Sequence, residues 1–251
     1  MLRMRTLKLV IAYDGTNYVG WQRQLNGVSV QQRLEEAFAP LVPEDSGGTP
    51  TVAGASRTDA GVHALGQVAS VTADIGLSST SVQRALNMRL PPDIRVVAVA
   101  DARPGFHARC HAIGKVYRYR MTTASVLSPF DRGFTWHWPV SRDAAAIRTA
   151  ARAFIGRHDF RSFQADGSSV RHTVRTIQRL DVAAADGETV IEIEGDGFLR
   201  HMVRIIVGTL AEVGSGNRAA STIADVIAAR DRRAAGVTAP AAGLTLVAVR
   251  Y

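Results

Sequence analysis

The sequence predicts an α+β protein built from two similar halves. Three observations carry that prediction. Strand-like and helix-like periodicities run in the order β-α-β-β-α-β and then repeat it. No long flexible linker or low-complexity run interrupts the 251 residues. A hydrophobic content of 46% is ordinary for a chain of that length with a folded core.

In the first half, "KLVIAYD" (8–14) is short, apolar and β-branched, and reads as a strand. In "SVQQRLEEAFAPLV" (29–42), Val30, Leu34, Ala37, Phe38 and Leu41 recur at helical spacing behind Ser29, a good N-cap residue. "TPTVAGAS" and "GQVASVTA" read as two further strands. A helix over about 80–88 follows, stopped by "LPPD", and "IRVVAVADA" (94–102) is a strand. In the second half, "KVYRYRMTT" (115–123) alternates as a strand. "SRDAAAIRTAARAFIG" (141–156) is an Ala-rich helix ended by Gly156, and "IQRLDVAAADGETVIEIEGDG" (177–197) is a hairpin turning at Asp186-Gly187. Helices over 198–214 and 221–231 precede a closing strand, "LTLVAVRY" (244–251). The repeated βαββαβ order is the ferredoxin-like arrangement. It predicts halves at 1–110 and 111–251, joined within 103–114, with antiparallel or mixed sheets and a central cleft suited to a ligand.

Composition narrows the function. Lys plus Arg is 30 against 22 acids, a net charge of +8, which points to a polyanion partner with nucleic acid foremost. Only Lys8 and Lys115 are lysine. Arg offers a planar fork for phosphate, but biased codon usage gives the same ratio, so placement says more: residues 142–179 hold eight Arg and three acids. No apolar run is long enough to span a bilayer, and the N-terminal apolar stretch meets Asp14 too soon for a signal-peptide core, so a cytoplasmic location is expected. Cys110 is the single cysteine, which excludes an intrachain disulfide and a multi-thiolate metal site.

Few motifs survive inspection. "HARCH" places His107, Cys110 and His111 together, without the carboxylate or paired-cysteine spacing of a metal site. There is no GxxxxGK[ST] or GxSxG, and "GDGFLR" lacks the third Gly of a dinucleotide loop. No metal and no cofactor is expected. What remains is "GASRTDAGVHALGQVASV" (54–71), whose single acid, Asp59, lies between Arg57 and His63 on a loop between two strands. Asp-Ala-Gly is ordinary turn chemistry, yet a carboxylate on a loop held by a sheet is also a candidate nucleophile or base. A glycosidase needs two carboxylates, whereas moving a base without hydrolysis can proceed with one. Tyr117 and Tyr119 face one side of their strand, where either could stack on a base or fill a core; Arg118 and Arg120 face the other, where they could hold phosphate. Arg200 and Arg204 form an i,i+4 pair if helix covers 198–214.

These residues resemble the tRNA pseudouridine synthase A (TruA) family, and the resemblance runs nearly end to end. It rests on "YDGTNYVGWQRQ" (13–24), "SRTDAGVHALGQVA" (56–69), "ALNMRLPPDIRV" (85–96), "FHAR" (106–109) with "YRY" (117–119), "HDFRSF" (158–163), "GDGFLRHMVRIIVGTL" (195–210) and "AAGLTLVAV" (241–249). The resemblance implies two ferredoxin-like halves, a homodimer, no cofactor, and isomerisation of uridine to pseudouridine at positions 38, 39 and 40 of the tRNA anticodon stem-loop. It makes Asp59 the catalytic aspartate, Arg57 the residue that helps flip the base, and Tyr117 the ring that stacks on uracil and a candidate for removing the C5 proton. It makes Arg204 the partner of the aspartate and Leu244 part of the base pocket. Phe106, His107, Ala108, Arg109 and Cys110, and Gly167, Ser168, Ser169, Val170 and Arg171, match segments that touch tRNA. Ser56 stands where many members carry Gly, and "LSSTSV" after 76 lacks the basic residues some members place beside the flipped base. Two other classes fit less well. An RRM-type binding module would show an RNP1 aromatic series, which is absent, and a nucleoside hydrolase would need the missing second acid.

Overall fold

Leu7, Leu9 and Ile11 are fully buried between partly exposed neighbours, and this period of two makes β1 (Met4–Tyr13) in the computed structural model, which describes residues 4–43, 48–168 and 170–251. After β1 comes α1 (Val30–Phe38), which buries Val30, Leu34, Ala37 and Phe38. Its cap is the expected one, with Ser29 Oγ accepting from Gln32 N at 3.2 Å. Next are β2 (Ala53–Gly54), β3 (His63–Asp74), α2 (Ser79–Arg89), capped by Ser78, and β4 (Ile94–Ala102).

The rest of the chain forms β5 (Gly114–Thr122), β6 (Trp136–His137), α3 (Ala144–Ala151), β7 (Gly156–Asp159), β8 (Val174–Ala185), β9 (Glu188–Gly195), α4 (Met202–Gly214), α5 (Ile223–Ala229) and β10 (Leu244–Arg250). The structure is therefore α+β with largely antiparallel pairing. It divides into one unit of Met1–Ile113 with Leu246–Tyr251 and a second of Gly114–Thr245.

In the first unit β1 lies between β3 and β4, antiparallel to both, and β2 pairs antiparallel with β3. A βαββαβ chain produces this order, because a helix carries each strand past its neighbour and leaves room for an antiparallel one between. β10 also lies beside β3. In the second unit β9 lies between β5 and β8, again antiparallel to both, and β7 extends the edge beyond β8. The β8–β9 hairpin turns where predicted, with φ of 51° at Asp186 and 77° at Gly187, a left-handed pair that matches the twist of the strands.

Several elements differ from the sequence reading for identifiable reasons. "TPTVAGAS" contributes only two strand residues, because Val52 N donates to Glu35 Oε1 on α1. The helix expected over 141–156 is α-helical only over Ala144–Ala151 and tightens to a 3₁₀ turn at Arg152–Phe154 before Gly156. The helix expected from 198 begins at Met202, since His201 takes a left-handed φ of 57°. Arg200 therefore lies before α4 and is not a helical i,i+4 partner of Arg204. From Leu246 onward the last strand groups with the first unit, not with the stretch that precedes it in sequence. Among the described residues, no helix is long and apolar enough to cross a membrane.

Candidate active site

Arg57 and Asp59 lie on the connection between β2 and β3. Pairing of these strands runs through Ala53 with Ser70 and Gly54 with Ala69, and Ala55 N still donates to Val68 O at 2.8 Å. At the next residue the backbones part and a side chain continues the ladder. Ser56 N donates to Gln67 Oε1 at 3.2 Å, and Gln67 Nε2 donates to Ser56 O at 2.7 Å. Gln67 is completely buried and Ser56 only partly so, which leaves both bonds part-buried. Ser56 keeps a negative φ, which is why a side chain is tolerated where Gly is common.

The segment 13–21 supports the loop from beneath. The Tyr13 hydroxyl and Thr58 Oγ1 share a buried 2.7 Å hydrogen bond, Trp21 N donates to Thr58 O at 3.1 Å, and Gly61 N approaches Tyr18 O at 3.4 Å. Val62 N donates to Asp59 O at 3.1 Å across a turn in which Gly61 has φ of 75°. The backbones approach so closely that a Cβ on Gly20 would sit 2.5 Å from Thr58 O, and one on Gly15 would sit 2.0 Å from Val62 O. Tyr18 donates its hydroxyl to Asp93 at 2.6 Å; burial, then that bond, raise its pKa well above the phenol value. Burial pushes the Asp14 carboxyl up, but bonds from the Thr16 hydroxyl and amide, together with His63 at 3.1 Å, outweigh it and leave the pKa below the ordinary value.

The outcome is a single acid on a loop braced on two sides. Thr58 is buried, Asp59 half-buried and Arg57 exposed. His63 does not extend the loop chemistry as its sequence position suggests. It is the first residue of β3, is buried, and accepts from Gly15 N through Nδ1 at 3.0 Å.

Of the other residues singled out by sequence, Phe106 to Cys110 belong to the first unit. Ala108 is buried, its N–H donating to Ser70 Oγ and its carbonyl accepting from the Tyr251 hydroxyl at 2.8 Å, while His107, Arg109 and Cys110 are exposed. Phe106 stacks on His111 and meets Tyr251, with Lys8 Nζ 4.0 Å from the Tyr251 ring centre. In "HARCH", His107 Nδ1 accepts from Arg109 N at 3.1 Å, so this ring organises a turn.

In the second unit Tyr117 and Tyr119 do share a face of β5, opposite Ile193 and Ile191. Tyr119 is a core residue, donating to Pro240 O at 2.7 Å. Tyr117 is 6% exposed and meets Phe198 edge-on at 5.2 Å between ring centres. On the opposite face, Arg118 and Arg120 lie against acids. Arg118 pairs with Glu192 at 2.8 Å, and Arg120 with Glu188 at 2.7 Å and Asp131 at 3.5 Å, alongside Arg179 with Asp181, Glu192 and Glu194. The strand alternation is right, but the acids of β9 that face these arginines are visible only once strands are paired.

Arg204 lies in the first turn of α4, its Nε donating to Ala239 O at 2.7 Å, and Leu244 is buried at the start of β10. In the 167–171 segment, Gly167 has φ of 72°, Ser168 Oγ accepts from Gln164 Nε2 at 2.7 Å, and Val170 and Arg171 are exposed. Ser169 lies outside the described residues. Gln67, Tyr13 and Gly20 escaped the sequence reading as site residues. A Gln in the apolar run "GQVASV" was the signal available for the first.

A model of the family described as tRNA pseudouridine synthase matches residues 9–111 and 150–251. The chain is similar to tRNA pseudouridine synthase A of Syntrophotalea carbinolica, 44% identical over 248 residues that cover 99% of this chain and 97% of that one. Identity to the protein of that name from Acidiphilium cryptum is 47% over 253 residues, covering 99% of this chain and 97% of that one. For the one from Acetivibrio thermocellus it is 46% over 248 residues, covering 99% and 100%.

Proposed function

This chain belongs to the tRNA pseudouridine synthase family, and from that premise we propose that it isomerises uridine to pseudouridine at positions 38, 39 and 40 of the tRNA anticodon stem-loop, with Asp59 as the catalytic carboxylate. The observation that carries the role of Asp59 is its loop: the only acid of residues 54–71, held by bonds to its neighbours Ser56 and Thr58. In the reaction the C1′–N1 bond breaks, the uracil turns, and a C1′–C5 bond forms; the C5 proton leaves and N1 gains one. Nothing is oxidised and no base is released, so one carboxylate suffices, acting either by attack on C1′ or by assisting cleavage through a glycal.

The remaining roles belong to this proposal. Exposed Arg57 fills the space left in the stack when the nucleotide flips, Tyr117 lies against the uracil, Arg204 partners the carboxylate and Leu244 lines the base pocket. Residues 106–110 and 167–171 hold tRNA. A homodimer is part of the same reading. Light scattering that returned the monomer mass would remove this part. A cytoplasmic location belongs to the same proposal.

The activity is tested with the purified protein and an anticodon stem-loop tritiated at uridine C5. Tritium should be released while the RNA mass, measured on an unlabelled copy, stays unchanged. Loss of a base would indicate a hydrolase, and binding without release a non-catalytic module. Tyr117→Phe keeps the ring and its edge contact with Phe198; if proton removal uses the hydroxyl, its tritium release falls at least tenfold with tRNA affinity unchanged, and normal turnover would end that role.

A further inference from the structure

We infer that Gln67 is a positioning residue for the reaction, holding the Asp59 loop in its reactive shape by acting as a side-chain substitute for a strand. The inference rests on the reading of Asp59 as the catalytic group. Backbone pairing between β2 and β3 ends at Ala55 and Val68. Asp59 lies four residues further on, and a segment leaving a sheet edge is ordinarily free to move. Here the primary amide of Gln67 reproduces both halves of a backbone pair on Ser56, accepting from its N–H at 3.2 Å and donating to its carbonyl at 2.7 Å.

A fully buried Gln in a strand otherwise bordered by Val68, Ala69 and Val71 needs such a partner, since burying an amide unpaired is costly. Asn carries the same amide one methylene short of this reach. Leu removes both bonds. Glu keeps the acceptor for Ser56 N, but its ionised form has no proton for Ser56 O and would set two oxygens against each other. Its protonated form restores the donor. Two residues on from Ser56, the Tyr13 hydroxyl holds Thr58 from β1, whose Ile11 pairs directly with Gln67. Gln67 thus governs the loop's departure from the sheet, and Tyr13 the peptide that enters Asp59. A displacement of 1 Å at a reacting group is enough to cost about a hundredfold in rate.

The test compares Gln67→Leu and Gln67→Glu with the unaltered protein, using single-turnover tritium release at saturating tRNA, tRNA affinity, and thermal unfolding to confirm folding. For Gln67→Leu the rate should fall about a hundredfold with affinity within threefold. For Gln67→Glu the rate, as a ratio to the unaltered protein at each pH, should rise at least tenfold from pH 8 to pH 5.5. Burial raises the pKa of the introduced carboxyl, and the donor returns as pH falls through it. Tyr13, Asp14, Tyr18, Arg57, Asp59 and His63, the titratable groups of the adjoining segments, are common to both proteins, so their own titration divides out of the ratio. A Gln67→Leu rate within threefold of normal, a loss confined to affinity, or a pH-independent ratio for Gln67→Glu would each overturn the inference. These outcomes are separate from failure of the Asp59 reading. An active Asp59→Asn protein with a slow Gln67→Leu protein would leave the brace standing around a different reactive group, and the reverse pair would remove the brace alone.

Discussion

Asp59→Asn should eliminate pseudouridine formation, lowering the turnover rate by a factor on the order of 10⁴ or more, as removal of a central catalytic group does in other enzymes. The substitution is nearly isosteric. It leaves the Val62 N to Asp59 O bond intact, because that bond uses the main chain, and it leaves Ser56 and Thr58 bonded to Gln67 and Tyr13. Folding should therefore survive and tRNA affinity should stay within about threefold, since phosphate contacts, not one carboxylate, dominate binding to nucleic acid. An amide can neither attack C1′ nor stabilise the positive charge that develops there. The decisive measurement is tritium release from C5-labelled stem-loop RNA beside a binding isotherm, and sustained release by Asp59→Asn would contradict the assignment.

The next largest effect is expected from Gly20→Ala, one methyl group outside any reacting atom. Gly20 has φ of 108°, a conformation that L side chains rarely adopt, and the new Cβ would lie 2.5 Å from Thr58 O and 3.1 Å from the Asp59 carbonyl carbon. The backbone strain costs about 1–3 kcal/mol and the overlap with a packed main chain adds about 1–3 kcal/mol. If the protein relaxes, it does so by moving the peptide that carries Asp59 or by weakening the bond from Trp21 N to Thr58 O. Both stability and turnover should fall, the latter about a hundredfold. Gly76→Ala is the matched control, because a Cβ there would meet nothing within 4 Å and the φ of Gly76 is not left-handed. Thermal unfolding and tritium release that ranked Gly20→Ala with Gly76→Ala would show that the 13–21 segment does not support the loop.

Much of the fold was legible in the chain because its signals are local. Ser29 caps α1 as its position before an apolar helical stripe requires. Asp186-Gly187 turns the β8–β9 hairpin because those residue types accept the left-handed conformation that a tight hairpin needs. The single acid of 54–71 is likewise a property of the residues alone, and it weighed against a two-carboxylate hydrolase, while the isomerase reading came from the resemblance. The helical period was less reliable at its ends. Arg200 stands at i,i+4 spacing from Arg204 in the helix expected from 198, yet a left-handed His201 excludes it from α4, and no periodicity reports a single φ.

What the sequence alone determined about this protein is the order and type of its main elements, its basic character and the place of Asp59 on a loop. Tertiary structure decided which glycines are irreplaceable, which acids pair with Arg118 and Arg120, that β10 lies beside β3, and that the side chain of Gln67 completes the sheet at Ser56. The physical reason is separation along the chain. Periods of 2 and 3.6 residues report which side of an element is buried, but a hydrogen bond between residues 56 and 67, or a contact between 20 and 58, exists only after folding brings those segments together.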